Sequence, residues 1–184
     1  MYSINEYIVY GKAGVSQIID IRKENFEGLE EQTYYVLKPV YSEKSIIYAP
    51  VDRNLNKLRK VLTVEEIYEI IGALPEEKTI WIANDHSRKE RYLKILKEGS
   101  HIELARLLKT LYEKNKELTS TGKKLHVSDE RIMKEAERIL FEEFAFVLKI
   151  EPEEVLPFIT EKIEILTKQK SSFIETTAQN TPPD

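Results

Sequence analysis

The sequence has no cysteine, only six glycines and no long apolar run. Without cysteine, neither a disulfide framework nor a thiolate metal site can form. No apolar segment approaches the roughly 18 residues that a transmembrane helix requires. The first residues also lack the basic and apolar regions of a signal peptide. We therefore expect a cytoplasmic protein that does not contact a membrane.

Known catalytic motifs are absent as well. The sequence has no Walker loop, dinucleotide fingerprint, HExxH motif or nucleophile elbow. His86, His101 and His126 are far apart along the chain and lack the spacing of metal ligands. Paired glutamates such as Glu142-Glu143 are typical of solvated helix faces rather than of general acid–base sites. We therefore expect a protein that is not an enzyme and that uses no cofactor and no metal ion.

The balance of charge limits the partners further. The net charge of -4 and the pI near 5.6 do not fit a general nucleic-acid binder. Any contact with DNA must come from a local basic patch or be delivered by another protein. The hydrophobic share of 41% is nevertheless enough for a folded core, so we expect a globular chain.

The pattern of the sequence changes at Pro50. Before it, short β-branched and aromatic runs alternate with turns, several of which contain glycine. These runs lie at residues 7–10, 15–21, 33–37 and 45–49. Their order and spacing predict an antiparallel meander that curls into a small SH3-like or Tudor-like β-barrel.

Helical signals dominate after Pro50. Capping boxes begin at Thr63 and at Ser100, and apolar residues recur at helical spacing. Pro157 either kinks or restarts the last helix. The predicted fold class is α+β, with a compact all-α domain of about five helices after the barrel. The predicted boundaries are a β domain at 1–52, a linker at 53–62, the helical domain at 63–170 and a disordered tail at 171–184.

Three features of the sequence point to binding. The tyrosines of the β domain are numerous, so they either form the barrel core with their hydroxyls at its rim or contact a partner at an open sheet edge. Arg88, Arg91 and Lys94 share one helical stripe, which either follows a phosphate backbone or forms a solvated face. Trp81, the only tryptophan, lies just before that helix. It either anchors the core or wedges against unstacked bases.

The order of these features resembles that of the CarD family of bacterial transcription regulators. The opening of the chain resembles the family's opening, in which Val9-Tyr10 is followed by a short loop, Gly14-Val15 and an isoleucine-rich strand. The helix that begins near Arg88 and ends at Gly99 stands in the place of the family's arginine-bearing helix. The resemblance extends over about residues 4–150. The matching stretches are 4–18, 35–38, 49–52, 58–59, 88–100, 123–125, 128–130 and 136–140.

The resemblance implies two partners. The β domain would be a Tudor-like RNA polymerase interacting domain, as in the transcription-repair coupling factor, and would dock on the lobe of the polymerase β subunit. The helical domain would reach promoter DNA at the upstream edge of the transcription bubble and modulate the stability of the open complex. The residues expected at the polymerase are Arg22, Lys23, Tyr35, Lys38, Ile46 and Tyr48. Those expected at DNA are Trp81, Arg88, Lys89, Arg91, Lys94, Lys123 and Lys124.

The chain also departs from the family pattern. By spacing from Gly99, the position of the family's wedge tryptophan falls at Asp85, four residues after Trp81. Either the loop is rearranged so that Trp81 forms the wedge, or the protein lacks one. Glu90, Tyr92 and Glu130 occupy places that are often basic or amide in other members. The alternative function is a protein–protein adaptor without DNA contact. We expect a monomer, and a strand-exchanged dimer is the other oligomeric state that an open small sheet allows.

Overall fold

The computed structural model describes residues 1–26, 31–42, 44–51 and 58–179, without the side chains of residues 12 and 170–179. Within these residues an antiparallel sheet is followed by a group of helices, which confirms the predicted α+β class. The sheet has the order β4-β3-β2-β1-β5. Its strands are β1 (Tyr7–Tyr10), β2 (Val15–Glu24), β3 (Gln32–Pro39), β4 (Ile47–Pro50) and β5 (Leu58–Lys60).

The meander depends on two local irregularities. Between β1 and β2, the 3-10 turn Gly11–Ala13 leads into Gly14, whose combination of φ 69° and ψ -153° is readily adopted only by a residue without a Cβ. Between Ile18 and Asp20 the register of β2 against β3 shifts, which marks a β-bulge. A bulge increases the twist of a strand, and it lets this small sheet curl around its core.

The strand β5 lies inside 53–62, which we predicted to be a linker. Leu58–Lys60 pairs antiparallel with β1, with Arg59 opposite Val9. The run is too short to show a strand pattern in the sequence, and only Leu58 is buried. Residues 52–57 lie outside the described part of the chain.

The helices are α1 (Val64–Ala73), α2 (Asp85–Glu98), α3 (His101–Ser120), α4 (Val127–Leu148) and α5 (Pro152–Gln179). Both predicted capping boxes are present, at Thr63 and at Ser100. Gly99 makes the tight turn between α2 and α3, because a Cβ there would lie 2.5 Å from the carbonyl oxygen of Ile95.

The last helix differs from the prediction. The α5 helix passes through Pro157 without a restart and continues to Gln179, so residues 171–179, predicted to be disordered, are helical. Proline removes one helical hydrogen bond, and packing of α5 against α4 and α1 offsets this loss. Residues 180–184 lie outside the described part of the chain.

Each domain has its own core. The core of the sheet contains Ile8, Ile18, Tyr35, Leu37, Ala49 and Leu58. The helical core is larger, and its fully buried members include Ile67, Ile71, Tyr92, Leu107, Leu111, Leu140 and Phe144. The domains meet along α4, where the rings of Tyr7 and Phe146 lie 4.8 Å apart. Among the described residues, no helix is both long and apolar enough to span a membrane.

Candidate functional sites

One face of the sheet carries a cluster of aromatic rings. Phe26 packs edge-on against Tyr34 at 5.2 Å and against Tyr48 at 5.3 Å. The guanidinium of Arg22 lies 5.4 Å from the centre of the Tyr48 ring. The register explains the cluster, because Arg22 on β2 is opposite Tyr34 on β3, and Tyr48 on β4 is opposite Val36, two residues along the same face of β3.

The edge of the sheet adjoins this aromatic face. The β4 strand is the outermost strand on its side, and no described strand pairs with its free edge. Ile46, just before β4, is 48% exposed, and Phe26 is 39% exposed. An open edge beside exposed apolar groups is the arrangement that a partner strand extends.

The predicted polymerase-binding residues therefore divide into two groups. Arg22, Lys23, Lys38 and Ile46 are exposed, and Tyr48 is partly exposed in the aromatic cluster. Tyr35, by contrast, is 2% exposed in the core of the sheet, and its hydroxyl oxygen accepts a hydrogen bond from the backbone N–H of Tyr2 at 3.0 Å.

Tyr35 is therefore a core residue rather than part of a contact surface. Side chains alternate along β3, so Tyr35 lies on the core face, opposite to the face of Tyr34 and Lys38. The residues expected at the polymerase did not include Phe26 or Tyr34. Tyr34 was detectable, since it must share a face with Lys38 by strand alternation.

Arg88 was predicted to contact DNA, but the structure places it in the interior with 3% exposure. Its Nη2 donates to Asp129 Oδ2 at 2.8 Å and to Asp85 Oδ1 at 2.7 Å. Its Nη1 donates to the carbonyl oxygen of Ile82 at 2.8 Å. These contacts occupy the guanidinium, and hydrogen bonding to Asp129 raises the pKa of Arg88. Arg88 thus joins the start of α2 to the start of α4 instead of facing a phosphate.

Trp81 lies against this buried arginine. The centre of its ring is 4.2 Å from the guanidinium carbon of Arg88 and 5.1 Å from Lys114 Nζ. The ring is partly buried against the helical core. Trp81 is therefore packed against the core with cation–π contacts, which favours an anchoring role over a wedge.

The loop that carries Trp81 is fixed at the neighbouring residue Ile80. The backbone N–H of Ile80 donates to Thr110 Oγ1 at 3.0 Å, and its carbonyl accepts from the hydroxyl of Tyr92 at 3.2 Å. Burial raises the pKa of Tyr92 to about 12, so its hydroxyl stays protonated and remains a donor. The conformation of the apolar run around Ile80 could not be predicted from the sequence, because both hydrogen-bond partners of Ile80 lie on helices elsewhere in the chain.

Asp85 stands where the family pattern places a wedge tryptophan. It is the first residue of α2, and its side chain is 73% exposed. The carboxylate accepts from Arg88 and follows the N-cap Asn84, so it stabilises the start of the helix. An acidic group at this position repels a phosphate backbone.

The remaining predicted DNA contacts are exposed cations. Lys89, Arg91 and Lys94 lie on the outer side of α2, and Lys123 and Lys124 lie in the loop before α4. Because Arg88 ties the starts of α2 and α4 together, the loop cations lie at the same end of the helical domain as Trp81. Arg91 also contacts Glu103 at 3.4 Å.

Glu143 was expected on a solvated helix face, but it is 2% exposed. Arg59 donates to both of its carboxylate oxygens at 2.6 Å. Burial alone would raise the pKa of Glu143, but the hydrogen bonds from Arg59 and His101 outweigh burial and lower the pKa to about 2. The prediction was wrong because periodicity shows which face a residue occupies in one helix and not which domain covers that face.

Comparison with known families agrees with the fold, a β domain followed by a helical domain. The family model of the CarD-like/TRCF RID domain matches residues 2–62. The model of the CarD C-terminal domain matches residues 66–160, which is more than half of the chain. A search of curated proteins found no match. The chain thus belongs to the CarD family of transcription regulators, with an N-terminal RNA polymerase interacting domain and a helical C-terminal domain.

Proposed function

We propose that this protein binds the lobe of the RNA polymerase β subunit and modulates the stability of promoter open complexes without performing catalysis. The observation that supports binding to the polymerase is the open edge of β4, which lies beside exposed Ile46 and the aromatic face that includes Tyr48. Addition of a strand to such an edge satisfies main-chain hydrogen bonds, and the adjoining side chains give specificity. The family match to an RNA polymerase interacting domain supports the same partner.

The helical domain supports the proposed effect on the stability of open complexes. Lys89, Lys94, Lys123 and Lys124 are exposed and are proposed to contact phosphates near the upstream edge of the bubble. These contacts are individually weak in an acidic protein. Docking on the polymerase raises their effective concentration, so they act without independent affinity for DNA. Because Asp85 replaces an aromatic wedge, we propose a grip through the DNA backbone rather than through unstacked bases.

Ile46→Glu is expected to weaken binding to the β-subunit lobe by about tenfold or more, because it places a charge in an apolar contact. The measurement is retention of the 184-residue chain by an immobilised fragment of the β-subunit lobe, followed by titration of the chain against the lobe to obtain the dissociation constant. Ile165→Glu is the matched control, since Ile165 is also exposed, at 40%, but lies on α5. Equal retention of the two variants would contradict docking through the β4 edge.

The double variant Lys89→Ala, Lys94→Ala is expected to shorten open-complex lifetime by about threefold to tenfold, with a weaker salt dependence, because two phosphate contacts are lost. Binding to polymerase should stay unchanged. The control is Lys134→Ala with Lys168→Ala, which removes the same charge from exposed positions on α4 and α5. Unchanged lifetimes in the first variant would instead support the alternative, an adaptor that binds polymerase without DNA contact, which acidic Asp85 favours.

A further inference from the structure

The carboxylate of Glu143 is the meeting point of four hydrogen bonds. Arg59 donates from Nη1 to Oε1 and from Nη2 to Oε2, both at 2.6 Å, in a bidentate arrangement. The backbone N–H of Leu62 donates to Oε1 at 3.0 Å, and His101 Nε2 lies 3.0 Å from Oε2. Every acceptor site of this buried side chain is therefore directed at a specific partner.

These partners belong to different parts of the molecule. Arg59 lies on β5, which is paired to β1 and so moves with the sheet. Leu62 lies in the connection between the sheet and α1, and His101 is the first residue of α3. Glu143 itself lies on α4. One side chain thus ties the β domain, the interdomain connection and two helices together.

The surrounding interface is not a continuous apolar core. A cleft of about 700 Å³ opens beside Arg59 between the two domains. Tyr10 and Gly11 line it on the side of the sheet, and Lys97 and Gly99 line it on the helical side. Where packing is interrupted in this way, the relative motion of domains is the default expectation. Directional contacts must then fix the angle between them.

A buried carboxylate with a bidentate arginine is strongly directional. Its burial is tolerated only while its hydrogen bonds are made, since an unpaired buried charge is costly. A rotation of the sheet relative to α4 would pull the planar guanidinium of Arg59 out of its fork with Glu143. Apolar neighbours such as Tyr7 and Phe146 are less restrictive, because ring packing allows sliding.

We propose that Glu143 is the positioning residue that fixes the orientation of the helical domain relative to the polymerase interacting domain. Glu143 touches neither expected partner. It acts by holding Arg59, Leu62 and His101 in one arrangement. The orientation itself is a property of the free protein, whereas its consequence for transcription rests on the proposed function.

The absence of native cysteine allows a direct test. Spin labels at Lys38→Cys and Lys134→Cys, exposed positions on β3 and α4, report the distance between the domains. The background chain is expected to give one narrow distance distribution by double electron–electron resonance. Glu143→Gln is expected to give a distribution about twofold wider or a second distance, because domains without a fixing contact sample several orientations.

Two further variants complete the test. Glu135→Gln makes the same chemical change on α4 at a partly exposed carboxylate that pairs with Arg138 of the same helix, so its distribution should stay narrow. Arg59→Lys keeps the positive charge, leaves Glu143 in place and removes the bidentate fork. It should widen the distribution even if Glu143→Gln does not fold. Distributions of Glu143→Gln and Arg59→Lys as narrow as that of Glu135→Gln would overturn the proposal.

A second readout separates orientation from function. Glu143→Gln should bind the β-subunit lobe as the unmodified chain does, while open-complex lifetime falls toward the value of the Lys89→Ala, Lys94→Ala variant. A wider distance distribution with unchanged lifetime would uphold the positioning role of Glu143 and contradict the proposed role of the helical domain. A narrow distribution with a shortened lifetime would contradict the positioning role alone.

Discussion

Asp129→Asn is expected to lower the free energy of unfolding of the helical domain by about 3–5 kcal/mol. Asp129 is 1% exposed and pairs with Arg88, which is 3% exposed. The substitution keeps the shape of the side chain but removes the counter-charge of a buried guanidinium. Breaking one side of a buried pair is costly because the remaining charge stays out of water without compensation.

The control for this prediction is the other carboxylate on the same arginine. Asp85 is bound to Arg88 at 2.7 Å but is 73% exposed. Asp85→Asn should therefore lower the free energy of unfolding by less than about 1 kcal/mol. Urea unfolding followed by circular dichroism measures both variants. Similar losses in the two variants would mean that burial does not determine the strength of this network.

A double replacement tests the same ion pair by removing both of its charges. In Asp129→Leu with Arg88→Met, both charged groups are replaced by apolar side chains of related size. Most of the stability lost in Asp129→Asn should return, because desolvation of two ions is no longer required. The Trp81 ring would keep an apolar neighbour in place of its cation at 4.2 Å.

The contribution of Glu143 to stability is expected to disappear in acid. Its pKa is lowered from an ordinary value of 4.5 to about 2 in the folded protein. The folded state therefore binds a proton on this group less readily than the unfolded state does. The resulting stability is present in full above about pH 4.5 and is lost as the pH falls toward 2. A shift of this size corresponds to about 3 kcal/mol.

Urea unfolding at a series of pH values measures this contribution. The difference in free energy of unfolding between the unmodified chain and Glu143→Gln should shrink by about 3 kcal/mol between pH 6 and pH 2. Glu135→Gln serves as the control, because its partly exposed ion pair lies within one helix. A difference that stays constant with pH would show that Glu143 is not held ionised by Arg59 and His101.

Much of the fold could be predicted because its signals are local. Capping boxes at Thr63 and Ser100 mark helix starts through residues only three positions apart. The β2 and β3 strands have long β-rich runs. By contrast, β5 has three residues, and its existence depends on pairing with β1 about fifty positions earlier. Nothing in the sequence of these three residues distinguishes a strand from a polar loop.

The candidate sites were harder to predict for a related reason. The sequence places Arg88 on a basic stripe, and the stripe exists for Arg91 and Lys94. It does not show that Asp129, 41 positions away, takes Arg88 into the core. The same holds for Arg59 and its carboxylate, which are 84 positions apart. Charge patterns locate cations, whereas burial of a cation depends on a partner that only the tertiary structure supplies.

The tryptophan that lies beside Arg88 and Lys114 also gives the unmodified chain an intrinsic fluorescent probe. The chain has a single indole, so selectively excited fluorescence comes from one known place. Indole emission responds to nearby charge and to water. Trp81 is partly buried, with one cation at 4.2 Å and another at 5.1 Å. A change in emission wavelength on addition of DNA, which contains no indole, would therefore report a change around this loop without any attached dye.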